Sequence, residues 1–582
     1  MNGLEILRNR INGLDGQDYG AYQSLKGKYD YPSFTLLIDQ IPKDPYAPPH
    51  TGVYRGRVSL KDAGITSDMM TPDIRKVALR DYLARVFYEK CCQISIARRG
   101  TGNSGLITIA KPSQTILDRS SIMITDNYVE VRFFIGLPAE GRKISSSIAL
   151  KMIFEELPKI INESLYIRNI NGDSLYEHLK VAEDAQYLRG CLNSRNMIGF
   201  IANGSVLPRK SGIDERPLSD ENIVKFKSPE SMEVEFDLPN RGKLKGMAIN
   251  RGVTLIVGGG YHGKSTVLNA LQLGIYNHIP GDGREFCITV EEAVKVCASS
   301  GRYVSNVDIS PFLSGIPQQL NTTSFSTLNA SGSTSQAATI VESIEAGGTV
   351  LLMDEDTCAA NFMIRDKRMQ ELIPKKDEPI TSFVDCIKTI YTSRGISTLL
   401  VMGGSGDYFD VADHVIWMKE FLPYDVTPKA HLVATDFPTG RTKELLKDFS
   451  EISNRFPLGD KINPLNEFGK LRISSPDINK LIFGENTVDL SDLEQLVEST
   501  QIKGIGLAIN SVLTMMDGSH TMKSIIENLS QNIYSKGIDI LDEKLTGDIT
   551  GFRMIDLAAT LNRMRSLGTK TIGTKTVGTK KA

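Results

Sequence analysis

Fourteen consecutive residues constrain this chain more than any others: Val253-Thr-Leu-Ile-Val-Gly-Gly-Gly-Tyr-His-Gly-Lys-Ser-Thr266. An apolar, β-branched run predicts a buried strand, and the glycines after it predict a loop leading into a helix that reaches about Gly274. Gly258, Gly263, Lys264 and Ser265 fit the pattern G-x-x-x-x-G-K-[ST], and Gly259, Gly260, Tyr261, His262 and Thr266 complete the segment. The residue types follow from the chemistry. Glycines let backbone N–H groups turn inward around phosphate oxygens, where side chains would block the approach. The helix directs its positive end at the same anion. Lys264 would reach the β- and γ-phosphates, and the Ser265 hydroxyl would join a Mg²⁺ shell. The segment therefore predicts binding of a nucleoside triphosphate with Mg²⁺.

Two further stretches extend that reading. Thr349-Val-Leu-Leu-Met353 predicts a buried strand that ends in Asp354-Glu355. In such a pair Asp354 would hold Mg²⁺ through water, and Glu355 would polarise the water that attacks the γ-phosphate. Upstream, Ser331-Gly-Ser333 stands at the mouth of a helix whose apolar positions Ala337, Ile340, Val341 and Ile344 repeat at i, i+3, i+4, i+7. Gly347-Gly348 ends that helix. A serine hydroxyl, a close backbone approach and a helix N-terminus together make an anion site.

The bulk properties exclude other classes. With 582 residues, 41% of them apolar and 23% charged, the chain predicts several packed domains. A net charge of −2 exerts no global pull on nucleic acid, so any such affinity is local. The seven cysteines and seven histidines lack metal-ligand spacing, which predicts a reducing, cytoplasmic setting without a zinc site or disulfide framework. The start, Met1-Asn-Gly-Leu-Glu-Ile-Leu-Arg8, has no apolar signal core, and no apolar run reaches the roughly 18 residues of a membrane span.

In chain order, four segments are expected: 1–158, 159–440, 441–567 and 568–582. The first mixes strands, such as 34–39 and 129–135, with helices over 73–90 and 146–157. Its loop Arg98-Arg-Gly-Thr-Gly-Asn-Ser-Gly105 reads as a basic hairpin or a second phosphate loop. The second carries a hairpin signal, Pro239-Asn-Arg-Gly242, and the nucleotide motifs. After Thr435 a polar, proline-broken linker (436–470) leads to helices expected at 490–497, 505–516, 521–533 and 554–567. The end, from Gly568, repeats Gly-Thr-Lys every five residues and predicts a basic, disordered tail.

The chain resembles the predicted ABC-class ATPase family, whose kinetoplastid member belongs to the mitochondrial RNA-editing machinery. Besides the three motifs, the resemblance rests on Asp44-Pro-Tyr-Ala-Pro48, Gly136-Leu-Pro-Ala139, Asn203-Gly-Ser-Val-Leu-Pro-Arg209 and His278-Ile-Pro-Gly-Asp-Gly-Arg-Glu285. It continues through Asp354-Glu-Asp-Thr357, Asn361-Phe-Met-Ile-Arg-Asp366 and Gly403-Gly-Ser-Gly-Asp-Tyr408. The fold it implies is α/β: an ABC-type P-loop ATPase core, an α+β N-terminal domain and a small, mainly helical C-terminal domain, assembled as a homodimer. Ser331, Gly332 and Ser333 would then be the signature that faces the nucleotide on the partner subunit, with Asp356 to Phe362 as the D-loop.

The chain also departs from the wider ABC pattern. The strand Ser397-Thr-Leu-Leu-Val-Met402 ends in Gly-Gly-Ser-Gly where transporters place a switch histidine, so Ser405 or the loop's N–H groups would meet the γ-phosphate instead. No single residue stands out as the Q-loop; Gln318, Gln319, Asp308 and Ser310 are all candidates. Two functions remain open: an ATPase that grips nucleic acid, RNA or another single strand, as its dimer opens and closes, or a nucleotide-gated assembly factor acting on protein partners. The first is motivated by local charge. Between Thr71 and Ala110 the bases Arg75, Lys76, Arg80, Arg85, Lys90, Arg98 and Arg99 outnumber Asp73, Asp81 and Glu89, and no acid follows Asp556.

Overall fold

In the computed structural model, which describes residues 3–43, 51–95, 99–220, 222–315, 321–445, 449 and 454–571, the run Val253–Val257 is the fourth strand of a six-stranded sheet. The order is Ala293–Val296, Val350–Asp354, Ser397–Val401, Val253–Val257, His414–Lys419, Leu422–Asp425; only the last pairing is antiparallel. Near-continuous apolar runs suit these strands because both faces of a parallel sheet are covered. Val350–Asp354 and Ser397–Val401 are buried at every position.

Two units are distinct. One comprises Met1–Glu183 with Lys536–Gly551, the other Asp184–Ser535 with Phe552–Ala582. In the first, Gly27–Asp30, Thr35–Gln40, Gly52–Ser59 and Tyr128–Ile135 form an antiparallel sheet, against whose last strand Ile107–Thr108 and Ile122–Ile124 also pair. Along Tyr128–Ile135, Val129, Val131, Phe133 and Ile135 are buried on one face, while Glu130 and Arg132 are buried on the other. Buried charges require partners. Glu130 accepts from Arg55, Arg57 and Arg132, and Arg132 forms a two-pronged bond to Asp539. That pairing, with the Ser120–Ile549 hydrogen bonds, holds a late stretch of sequence within the first unit.

The second unit adds an antiparallel sheet ordered Glu233–Leu238, Gly242–Asn250, Met197–Ala202, Cys287–Thr289. Its first two strands turn as the hairpin signal predicts, with Gly242 at φ +73°. Toward the C-terminus come a three-stranded sheet, Ile473–Asp477, Lys480–Phe483 and Asn486–Asp489, and the helices Ser499–Val512, Met522–Lys536 and Met554–Arg563.

Three expectations are corrected here. Leu490–Val497 is not helical: Gln495 Oε1 accepts from Lys295 N, its Nε2 reaches Gln272 O, and the helix starts only at Ser499 behind a capping box of Glu498 and Gln501. The expected linker contains the strand Arg455–Leu458, whose Arg455 is buried on Glu345. Its partner strand is Gly568–Thr571, so the first repeat of the supposedly disordered tail is ordered. The remaining repeats, Asp44 to Pro48, Arg98, Gln318 and Gln319 lie outside the described residues.

Candidate functional site

The loop after Val257 runs into the helix Lys264–Leu273, with Gly263 at the N-cap and φ +91°. Gly258 also has positive φ, +143°, and a Cβ there would stand 2.5 Å from the Met418 carbonyl oxygen, so two separate constraints demand glycine. Tyr261 holds a left-handed φ of +62° and is fully exposed. His262 is fixed by Glu420, whose N–H donates to Nδ1 at 3.0 Å, which places the imidazole proton on Nε2.

Lys264 Nζ donates to the carbonyls of Gly258 and Gly259, each at 2.8 Å. Ser265 Oγ donates to Asp354 Oδ2 at 3.0 Å. The loop helix and the end of Val350–Asp354 are thus joined by a hydroxyl and a largely buried carboxylate, the hard oxygen donors that Mg²⁺ takes alongside phosphate. No group of three or more His, Cys, Asp or Glu gathers as a metal cage among the described residues. Glu355, next in sequence, accepts from the N–H groups of Gly403 at 2.7 Å and Gly404 at 2.9 Å, which follow the neighbouring strand. Ser405 stands beside them; its Oγ accepts from Asp407 N at 3.3 Å within a turn.

Ser331 caps the helix Gly332–Glu345, its side chain accepting from Thr334 N. Ser333 Oγ donates to Asn361 Oδ1 at 2.8 Å, and the buried Gln336 accepts from Ala359 N at 2.9 Å. These bonds tie the helix Gly332–Glu345 to the segment that follows Asp354-Glu355. In that segment burial pushes the Cys358 thiol up to about 12. Asp308 accepts from Ser310 N and Oγ, closing a local turn.

An apolar cavity of about 200 Å³ opens beside the loop, where Gly263, Thr266 and Val267 meet Leu207, Phe226, Met418 and Phe421. Its walls come from segments some 40 residues before and 160 after the motif (roughly counted), so no window of sequence reveals it. The basic stretch of the first unit behaves differently from its composition. Arg75 pairs with Glu183, Arg80 with Asp118, Arg85 with Asp81, Lys90 with Glu163 and Arg99 with Glu156. Its cations are largely neutralised by carboxylates within the same unit.

Comparison with known proteins bears on the same segments. Residues 4–168 match the family model for the N-terminal part of ATPases of the ABC class, residues 171–455 that for the ABC ATPase P-loop domain, and residues 472–570 that for the MRB1590 C-terminal domain. The uncharacterized protein MJ1628 of Methanocaldococcus jannaschii is 30% identical over 300 residues, 48% of this chain and 65% of that protein, so the chain spans just under two thirds of that relative. A solved structure, cbiO1 from Clostridium perfringens, part of the ABC transporter complex cbiONQ, aligns with 36% of this chain and 96% of its own at 16% identity. Its TM-score of 0.23 gives that likeness no weight. Among the described residues no helix is long and apolar enough to cross a membrane.

Proposed function

This chain belongs to the ABC-class ATPases, and from that premise we propose that it binds Mg-ATP and hydrolyses it at a site completed by a second copy of itself, using the cycle to grip RNA. The observation that carries the ATPase reading is the meeting of Ser265 with Asp354 at 3.0 Å, beside Lys264 and Glu355, at the carboxyl ends of three neighbouring parallel strands. Lys264 and the loop N–H groups bind the phosphates. Ser265 and Asp354 would hold Mg²⁺, which when bound neutralises charge on the phosphate oxygens. Glu355 orients a water and takes its proton as that water attacks the γ-phosphorus. The cavity walled by Phe226, Met418 and Phe421 adjoins the loop and suits a nucleobase, whose flat apolar faces gain from burial there.

For the composite site, the supporting features are the exposed Ser331 at a helix N-terminus and the family resemblance. For RNA, they are the kinship with the editing-associated member and the cations Arg565 and Lys570, which stand in no ion pair among the described residues. Lys264→Ala tests the core of the reading. ATP at about 100 times its dissociation constant stabilises a protein by roughly 2.7 kcal/mol, and the variant should lose that melting shift. A shift equal to the wild type's would refute nucleotide binding at the loop. For RNA, anisotropy of a labelled single strand with Glu355→Gln protein and ATP should show saturable, salt-sensitive binding. Its absence, with the ATP shift intact, leaves a protein partner as the target.

A further inference from the structure

We propose that the backbone N–H groups of Gly403 and Gly404 are the positioning groups for the Glu355 carboxylate, and that residue 404 is glycine because the carboxylate lies against its Cα. The inference rests on the ATPase reading and deepens it at the same site. Both N–H groups donate to one oxygen, Oε2, at 2.7 and 2.9 Å. Oε1 carries no bond to protein among the described residues, so it is the oxygen left to a water. Two convergent donors fix a carboxylate in place far better than one, because rotation about the terminal torsion breaks both.

A Cβ added at Gly404 would stand 2.8 Å from Glu355 Oε1, and its next neighbours, at 3.6 Å, are the Cδ and Oε2 of the same side chain. At Gly403 the nearest atom is 3.8 Å away, an ordinary contact. Neither residue has positive φ, so the backbone itself accepts alanine at both. The constraint at 404 is therefore the carboxylate alone. A methyl group there displaces the tip of one flexible side chain and leaves the fold as it is. The loop that replaces a switch side chain with Gly-Gly is thus a cradle built for the base.

Gly404→Ala should keep its melting temperature and bind ATP within about twofold of wild type. Its turnover should fall at least tenfold, since a misplacement near 1 Å can cost about 10²-fold. Gly406→Ala, in the same loop but with Phe409 as its only near neighbour, should hydrolyse like wild type. In a Glu355→Gln background Gly404→Ala should add no further loss, because both act through one carboxylate. Independently of activity, amide hydrogen exchange over Gly403 and Gly404 should quicken in Glu355→Ala and not in Lys264→Ala. Unchanged turnover in Gly404→Ala, a drop in its ATP affinity or melting temperature, or equal exchange in the two variants would each overturn the cradle. A wild type that binds ATP without hydrolysing it, with the exchange difference intact, would overturn the ATPase reading instead, and the catalytic purpose of the cradle with it.

Discussion

Ser265 Oγ donates to Asp354 Oδ2 at 3.0 Å, joining the first turn of the loop helix to the last residue of a strand two places away in the sheet. The contact brings together two residues 89 positions apart in the chain. On the function proposed above, it brings together a hydroxyl and a carboxylate that would take a divalent cation.

Asp354→Asn keeps the shape of that contact and removes its charge. ATP should still stabilise the protein, but the extra stabilisation that Mg²⁺ adds over a chelator should disappear, and turnover should fall about 100-fold or more. Melting curves with ATP in Mg²⁺ or chelator decide the matter, and an undiminished Mg²⁺ effect would place the metal elsewhere.

Ser331→Arg tests action across a dimer. Alone it should bind ATP and fail to hydrolyse it. Mixed with Lys264→Ala protein under conditions of subunit exchange, it should regain roughly one working site per heterodimer. No recovery after verified exchange means each subunit completes its own site.

Phe421→Ala should weaken ATP binding about tenfold, close to 1.4 kcal/mol, by stripping one aromatic wall from the cavity. Inorganic triphosphate, which has no base to bury, should bind both proteins equally. Equal losses for the two ligands would show that Phe421 acts through the loop rather than on the base.

His178 offers a test in the first unit. Its Nε2 lies 3.2 Å from the fully buried Asp81, which also bonds Arg85 and Arg119, and its ring packs on Tyr82. Burial pushes the imidazole below its ordinary range. Burial alone would raise Asp81, but Arg85 and Arg119 hold its carboxyl well below the usual carboxylate range. A depressed histidine takes up its proton more readily in the unfolded chain, so its contribution to stability is present above about pH 6.5 and lost as pH falls below it. The melting temperature should drop between about pH 6.5 and 5, and His178→Gln should flatten that slope. Parallel slopes would mean the imidazole is already charged in the fold.

The motifs were legible in the sequence because their chemistry is local. A phosphate loop needs its glycines, lysine and serine contiguous, so Gly258 to Ser265 announces itself, as do the strand ending at Asp354-Glu355 and the helix capped by Ser331. Hydrophobic period also placed the helix that begins at Asp73, and turn residues placed the hairpin at Pro239 to Gly242. What only the tertiary structure decided depends on partners distant in the chain. Leu490–Val497 has helical spacing, yet Gln495 spends its side chain on Lys295, Gln272 and Ala293, and those buried bonds outweigh the amphipathic pattern. The cations of the first unit looked like a surface for nucleic acid until their carboxylates, up to 108 residues away, were seen beside them. The cavity beside the loop and the two N–H groups on Glu355 are likewise invisible to any window, because each is made by segments far apart in the chain.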